Sequence, residues 1–598
     1  MSINEKVVEV KTCPNCNSNF EITDKDLEFY EKVSPSFGGK KYNIPSPTLC
    51  PNCRQQRRLS FRNERKLYKR ICDATGKPII SMYSPDKPYK VYSEEIWWSD
   101  KWDVLKYGVD FDFTKSFFSQ FEELVKIVPH NNLINHFMTN ENSMYGNFTG
   151  NNKDSYLVFE AGSLEKAYYC ENIRKSKNII DSTGCFFCEN SYNLIECYHC
   201  TNCKFCIDSN NCLNSEFLCN CKNCENCFMS YNLVDKKYVI NNKQYTENEY
   251  YEIINELKNS NSLDKLYLDF LNNNSKRISL YSHGFGNENC TGDYLYNSSN
   301  SFDCFDARNL ENCKYCSVMS SSKDKTVNCY DYDFFGSSEK SYEIVTVGSN
   351  SFDILFSINT WDNASNILYC YNCTGSKNCF GCFGVTYKQY CILNKQYTKE
   401  EYEILVPKII EHMMTTKEWG EFFPSSISPF GYNETIANEY FPLTREQAIN
   451  PPTRSSSPPL PKGESGSIAE AGGLIRGLFN RSDYEAPFPK VDKIIPAKKL
   501  PENIKDIPDD ILNRAIECEI TKKPFRIIAQ ELEFYRKHNL PIPKRHPDQR
   551  HLDRMNLRNP RKLFDRKCDK CNKEIKATYS PDRKEIVYCE ECYNKEIY

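Results

Sequence analysis

Four cysteine pairs near the chain ends carry the clearest chemistry: Cys13 with Cys16, Cys50 with Cys53, Cys568 with Cys571, and Cys589 with Cys592, each spaced by two residues. That spacing lets a tight turn aim two thiolates at one ion. A second turn completes a tetrahedron of sulfur, the coordination Zn2+ takes in closed structural sites. The 33 residues between Cys16 and Cys50 make a long but workable loop, and the 17 between Cys571 and Cys589 fall in the zinc-ribbon range. About two Zn2+ per chain are expected. All four ligands are spent on each metal, so no position remains to activate water and both sites read as structural.

A basic row follows each module's first ligand region. Arg54, Arg57, Arg58, Arg62, Arg65, Lys66, Lys69 and Arg70 lie within 17 residues, opposed only by Glu64. Arg550, Arg554, Arg558, Arg561, Lys562, Arg566 and Lys567 repeat the row near the C-terminus. Guanidinium groups held in fixed geometry pair bidentately with phosphate oxygens, so these arginines are candidates for contact with an RNA or DNA backbone. The alternative is a solvated face, or pairing with carboxylates of the same chain. A formal net charge of only -3 keeps that alternative open.

The two ends are copies of one module. Residues 50–96 align with 546–592 at a constant offset of 496, with 21 of 47 positions identical, including Arg65-Lys66-Leu67 and Tyr83-Ser84-Pro85-Asp86. Upstream, Phe20, Leu27, Glu28, Phe29 and Tyr30 match Phe525, Leu532, Glu533, Phe534 and Tyr535 at an offset of 505. Through this alignment Cys13, Cys16, Cys50 and Cys53 correspond to Cys518, Thr521, His546 and Gln549. Cys568, Cys571, Cys589 and Cys592 correspond to Cys72, Thr75, Ser93 and Ile96. Each end has kept the metal site that the other lost.

Between the ends the texture changes. Short Asn-, Ser- and Cys-containing units recur at steps of 9 to 13 residues, as in Thr201-Asn202-Cys203-Lys204 and Lys222-Asn223-Cys224-Glu225. A second such array closes, like the first, on Asn-Lys-Gln-Tyr-Thr, at 242–246 and 394–398, followed by capping boxes of Thr246 with Glu249 and Thr398 with Glu401. A period near 11 is too short for paired helices and suits short strands with Asn at the corners, two units making a rung of about 22 residues. Small zinc knuckles are the alternative. At the third position of the unit stand Ser155, Ala167, Asn178, Ser191, Cys203, Cys212 and Cys224, then Cys290, Ser301, Cys313, Cys329, Ser341, Ser351 and Cys379. A metal ligand does not tolerate exchange for Ala or Ser, whereas a small interior residue does, so most central cysteines read as stacked interior side chains. Cys197, Cys200, Cys203 and Cys206 are dense enough that a zinc or iron–sulfur site stays open there.

The strings Cys13-Pro14-Asn15-Cys16, Phe20, Leu27-Glu28-Phe29-Tyr30 and Cys50-Pro51-Asn52-Cys53-Arg54 resemble a bacterial probable zinc-ribbon family, over roughly 50 residues at each end. The architecture with Trp419-Gly420-Glu421-Phe422-Phe423-Pro424 is similar to a group of cysteine-rich bacterial proteins. The resemblance implies zinc at Cys13, Cys16, Cys50 and Cys53 and carries no activity. The C-terminal copy departs from the pattern at Thr521, His546 and Gln549.

With 32 cysteines, no apolar leader after Met1 and no 18-residue apolar run, the chain reads as a reduced, soluble cytoplasmic protein without a membrane partner. Its eight histidines form no nucleophile or metalloprotease arrangement; His199, beside Cys197 and Cys200, reads as a polar solenoid position sooner than a ligand. No phosphate loop, dinucleotide fingerprint or small-molecule site is evident. The expected fold is mainly β: a central parallel β-solenoid in two tandem arrays with helical inserts, flanked by small α+β zinc-ribbon modules. Expected boundaries are 1–102 for the N-terminal module, 103–139 for a helical connector, 140–245 for the first array and 246–284 for a helical insert. The second array follows at 285–397, a helix with an aromatic cap at 398–450, a Pro/Ser/Gly-rich linker at 451–500 and the C-terminal module at 501–598. Function reads as a non-enzymatic zinc-binding scaffold or adaptor for a macromolecular partner, protein or nucleic acid. The alternative is an RNA-, DNA- or ribosome-associated binder acting through the arginines.

Overall fold

The computed structural model describes residues 5–136, 139–320, 324–348, 350–449, 479–488, 491 and 493–597. Residues 451–478 of the expected linker lie outside the described residues. The described residues are mainly β, 34% strand and 24% helix, and many strands are parallel.

Parallel pairing in the centre follows one rule. Lys153, Glu165, Lys177, Glu189, Thr201, Leu213, Glu225 and Lys237 form a column in which each residue pairs with the one 12 further on. In the second array the step is 11 to 13, as in Glu288↔Ser299, Val327↔Glu339 and Ser338↔Ser351, with one step of 16 from Leu310 to Thr326. Parallel partners therefore stand about 12 residues apart, not the 22 expected of a rung. The reason is a finer unit of three residues. Left-handed backbone recurs at Asn190, Asn193, Glu196, His199, Asn202, Phe205, Asp208 and Asn211, so any multiple of three resembles a period. Asn enters this conformation most readily; each bulkier corner, such as Phe205, costs on the order of 1 kcal/mol, offset by the surrounding ladder.

The residue after each corner points inward: Cys188, Ser191, Leu194, Cys197, Cys200, Cys203 and Cys206 are all fully buried. Ser and Cys interchange there because both satisfy interior backbone. Ser191 Oγ donates to Glu189 O (2.7 Å) and accepts from Cys203 N (3.1 Å). Cys197 Sγ lies 3.3 Å from Ile195 O and 3.4 Å from Cys206 O. Asn178 and Ser351 do not belong in that register: Asn178 is a left-handed corner followed by inward Ile179, and Ser351 pairs with Ser338 while Ser341 pairs through its hydroxyl with Ile354 N. Corner amides form ladders of their own, Asn211 to Asn223 (2.9 Å) and Asn223 to Asp235 (2.8 Å).

The chain divides into two compact units. One joins Met1–Asn132 to Ser282–Tyr484 and Arg561–Leu563; the other joins Leu133–Tyr281 to Glu485–Pro560 and Phe564–Tyr598. The N-terminal module thus shares its unit with the second array. Its helix α1 (Asp24–Val33), held by a Thr23/Asp26 capping box, lays Phe29 flat on Tyr330 at 3.7 Å, and α2 (Pro51–Leu59) crosses the same strands. In the other unit, α3 (Ala529–Lys537) and α4 (Pro547–Met555) take the corresponding places on the first array, where Tyr169 donates to Glu531 (2.8 Å).

The expected connector helix runs Phe117–Ile127, capped by Ser116, and both expected capping boxes form. The Trp419–Pro424 segment lies against Tyr369 and Phe61 on the flank of the second array, with two further rungs beyond Tyr369. That flank position replaces the expected cap over an end.

Candidate metal centres and arginine clamps

Both four-cysteine groups assemble. The sulfurs of Cys13, Cys16, Cys50 and Cys53 all lie within 4.8 Å of one another, and so do those of Cys568, Cys571, Cys589 and Cys592. Cys16 and Cys50 approach to 3.6 Å, Cys571 and Cys589 to 3.7 Å. A tetrahedral ion with metal–sulfur bonds of about 2.3 Å needs sulfurs about 3.8 Å apart, so the residues fit a metal ion.

The same local structure builds each site. Cys13 and Cys16 occupy the turn between antiparallel strands Val7–Thr12 and Asn19–Thr23, which Asn17 closes at φ 61°. Cys568 and Cys571 do so between Phe564–Lys567 and Glu574–Ala577, where Asn572 has φ 61°. The second pair stands at a helix start: Cys50 precedes Pro51 of α2, and Cys589 precedes the helix Glu590–Ile597. The Cys53 thiol, hydrogen-bonded to Cys50, brings the Cys50 thiol down to about 5. Burial opposes ionisation of Cys568, but the N–H groups of Cys589, Cys571 and Lys570 outweigh it and hold this thiol at about 6. In each group the second cysteine is exposed and the other three are buried.

The lost sites keep the fold without the ligands. Cys72 N bonds Lys77 O and Cys518 N bonds Lys523 O, repeating the knuckle turn. Ser93 N donates to Cys72 Sγ at 3.3 Å, as Cys589 N does to Cys568 Sγ at 3.3 Å. Among the described residues no interior cysteine, Cys197, Cys200, Cys203 and Cys206 included, belongs to a group of three ligand atoms within 4.8 Å. Burial raises the Cys206 thiol to about 11 and the Cys170 thiol to about 12, which keeps both protonated.

The arginine rows are placed otherwise than expected. Arg54, Arg57, Arg58 and Arg62 are buried, Arg58 completely. Arg54 grips Asp331 through Nε (3.0 Å) and Nη2 (2.8 Å). Arg58 donates to Asp333 (2.9 Å), Asp331 (3.0 Å) and Glu343 (3.0 Å), while Arg57 joins Glu343 to Glu421. Arg62 pairs with Glu64 and lies over Phe334 at 3.9 Å. In the other unit Arg550 and Arg554 share Asp181, and Arg558 pairs with Glu196 (2.8 Å). Arg561 pairs with Asp306 at 2.6 Å, and Arg65 is half-buried. Arg70 and Arg566 do one shared job: each donates to the serine carbonyl of the Tyr-Ser-Pro-Asp turn, Ser84 or Ser580, and to a second carbonyl five residues on, Tyr89 or Glu585. A buried guanidinium committed to carboxylates or carbonyls has no face for phosphate. The expectation of nucleic-acid contact is corrected on that ground for Arg54, Arg57, Arg58, Arg62, Arg550, Arg554, Arg558 and Arg561, and Arg70 and Arg566 are turn-holding residues. The carboxylates Asp331, Asp333, Glu343 and Asp181 escaped sequence reasoning because nothing near them repeats a charge pattern.

No family model matches the chain, and no curated protein matches it. A solved structure from Desulfovibrio desulfuricans, named only provisionally as an acetyltransferase, is similar at 10% identity and a TM-score of 0.09, over 41% of this chain. The chain spans just under two thirds, 63%, of that structure's length.

Proposed function

We propose that the protein is a zinc-binding scaffold. In this reading the two arrays are β-solenoids, the four-cysteine groups hold one Zn2+ each, and the terminal modules are zinc-stapled braces bound to the arrays. The exposed ladder faces then receive a macromolecular partner in a reducing cytoplasm. The observation that supports it best is the doubled clamp. Arg54 and Arg58 meet at Asp331, and their counterparts Arg550 and Arg554 meet at Asp181. Two copies separated by 496 positions have kept one internal contact, so the modules serve the arrays and not a separate ligand.

Hydrogen exchange of the whole chain with and without a zinc chelator tests the brace. Chelation is expected to deprotect α2, α4 and the strands they cover; unchanged protection sinks the reading. In parallel, RNA filter binding across a salt series is expected to show no salt-sensitive affinity that Arg58→Glu removes.

A further inference from the structure

Each terminal module holds the stretch of chain that leads into an array, and holds it with the same strand. In the N-terminal module Val91–Tyr92 pairs parallel with His130–Asn131, and Asn132 N donates to Tyr92 O at 2.9 Å. In the C-terminal module Ile586–Tyr588 pairs parallel with Ile278–Leu280, and Tyr281 N donates to Tyr588 O at 3.0 Å. Tyr92 and Tyr588 are counterparts at the offset of 496. Asn132 and Tyr281 are the residues at which the chain leaves one compact unit for the other. Beyond Tyr281, Ser282 Oγ reaches Gly292 O and His283 N reaches Asp293, so this lead-in seats the first rung of the second array.

Both holding strands hang on a knuckle in the same way. Asp73 N donates to Val91 O (2.9 Å), and the Asp73 carboxylate accepts from Val91 N (2.7 Å). Asp569 and Val587 repeat the two bonds at 3.0 and 2.7 Å. What closes the knuckle differs. In the N-terminal copy Ile96 stands where the other copy has Cys592, and Ile96 and Trp97 are both buried. Trp97 lies so close over Gly384 that a Cβ there would be 2.8 Å from its ring. That closure is apolar and needs no metal. In the C-terminal copy Asp569 lies between Cys568 and Cys571, and Cys589 directly follows Tyr588. Three of the seven residues in its core cluster are Cys568, Cys589 and Cys592, and Tyr281 and Tyr588 pack against that cluster. A core this small is held by its ion, so metal-binding energy there is folding energy.

We propose that the ion held by Cys568, Cys571, Cys589 and Cys592 is a latch on the entry to the second array. The inference rests on the reading that this group binds Zn2+. With metal, Ile586–Tyr588 keeps residues 279–281 in place; without it, that stretch comes free. Ile278 stays with the first array, because Asn232 donates to its carbonyl at 2.9 Å. The entry to the first array, residues 130–132, stays closed either way. The reciprocal loss of ligands thus leaves one entry responsive to metal and the other indifferent to it.

Hydrogen exchange of the full zinc-loaded chain, resolved at residues 279–281 and 130–132, tests this. A zinc chelator is expected to speed exchange at 279–281 by about tenfold or more and to leave 130–132 unchanged. Added zinc is expected to restore the protection. Cys571→Ser is expected to give the same pattern without chelator, and Cys16→Ser to leave both segments protected. If α2 loses protection on chelation while 279–281 keeps it, the brace stands and the latch falls. Equal loss of protection at 130–132 also overturns the latch. No change anywhere overturns both.

Discussion

Asp331 and Asp181 each hold two arginines from one face of a helix, four residues apart, inside a buried contact. Removing one partner of such a network leaves guanidinium charge without water or counter-ion, at a cost of roughly 3–5 kcal/mol. Asp331→Asn and Asp181→Asn are therefore expected to lower unfolding midpoints strongly in urea titration, and a loss below about 1 kcal/mol contradicts the clamp. His130 contributes to the pH dependence, alongside His538, whose pKa burial also lowers to about 4. His130 is buried among Tyr83, Tyr89 and Phe383, and burial lowers its pKa to about 4. Between that value and the ordinary 6.5 the unfolded chain binds more protons, so stability is complete above about pH 6.5 and falls as pH drops toward 4, by about 3 kcal/mol. His130→Gln is expected to flatten that part of the stability–pH curve. The two four-cysteine groups and the positions of the arginines were legible in the sequence. The arginines' partners were not, because an ion pair between Arg58 and Asp333 links residues 275 positions apart with no local signature.

At the scale of elements, the three-residue corner unit explains why the ladder accepts Asn, Ser and Cys so freely. It also shows why the rung length was misread: corners every three residues blur a period of 12 into steps of 9 to 13. The interior assignment makes a contrast that mutation reads directly. Ser191→Ala strands the N–H of Cys203 and is expected to cost about 1–3 kcal/mol, whereas Ser191→Cys keeps an acceptor and costs less. Cys200→Ser is expected to leave metal content unchanged. A loss of bound metal in that variant, read by elemental analysis, assigns Cys200 to a metal site and contradicts the interior reading. The helix caps were visible at the end of a repeated motif, Asn-Lys-Gln-Tyr-Thr.

At the scale of the whole molecule, two gene-copy-like ends kept different four-cysteine groups and the same arginine-to-carboxylate contact. Each group lies in the unit in which its own module is folded, and at the N-terminal end, whose second group is lost, the turn held by Arg70 persists as its counterpart held by Arg566 does beside the retained group. The duplication and the reciprocal losses were plain in the sequence. The pairing of the N-terminal module with the second array was not, because chain order gives no reason to skip the first. The central claim is that metal belongs to the two ends and not to the cysteine-rich interior. Quantitative metal analysis of the purified full chain tests it most directly. About two zinc per chain are predicted, falling to about one in Cys16→Ser and in Cys571→Ser. Four or more zinc, iron in place of zinc, or no metal at all contradicts the account.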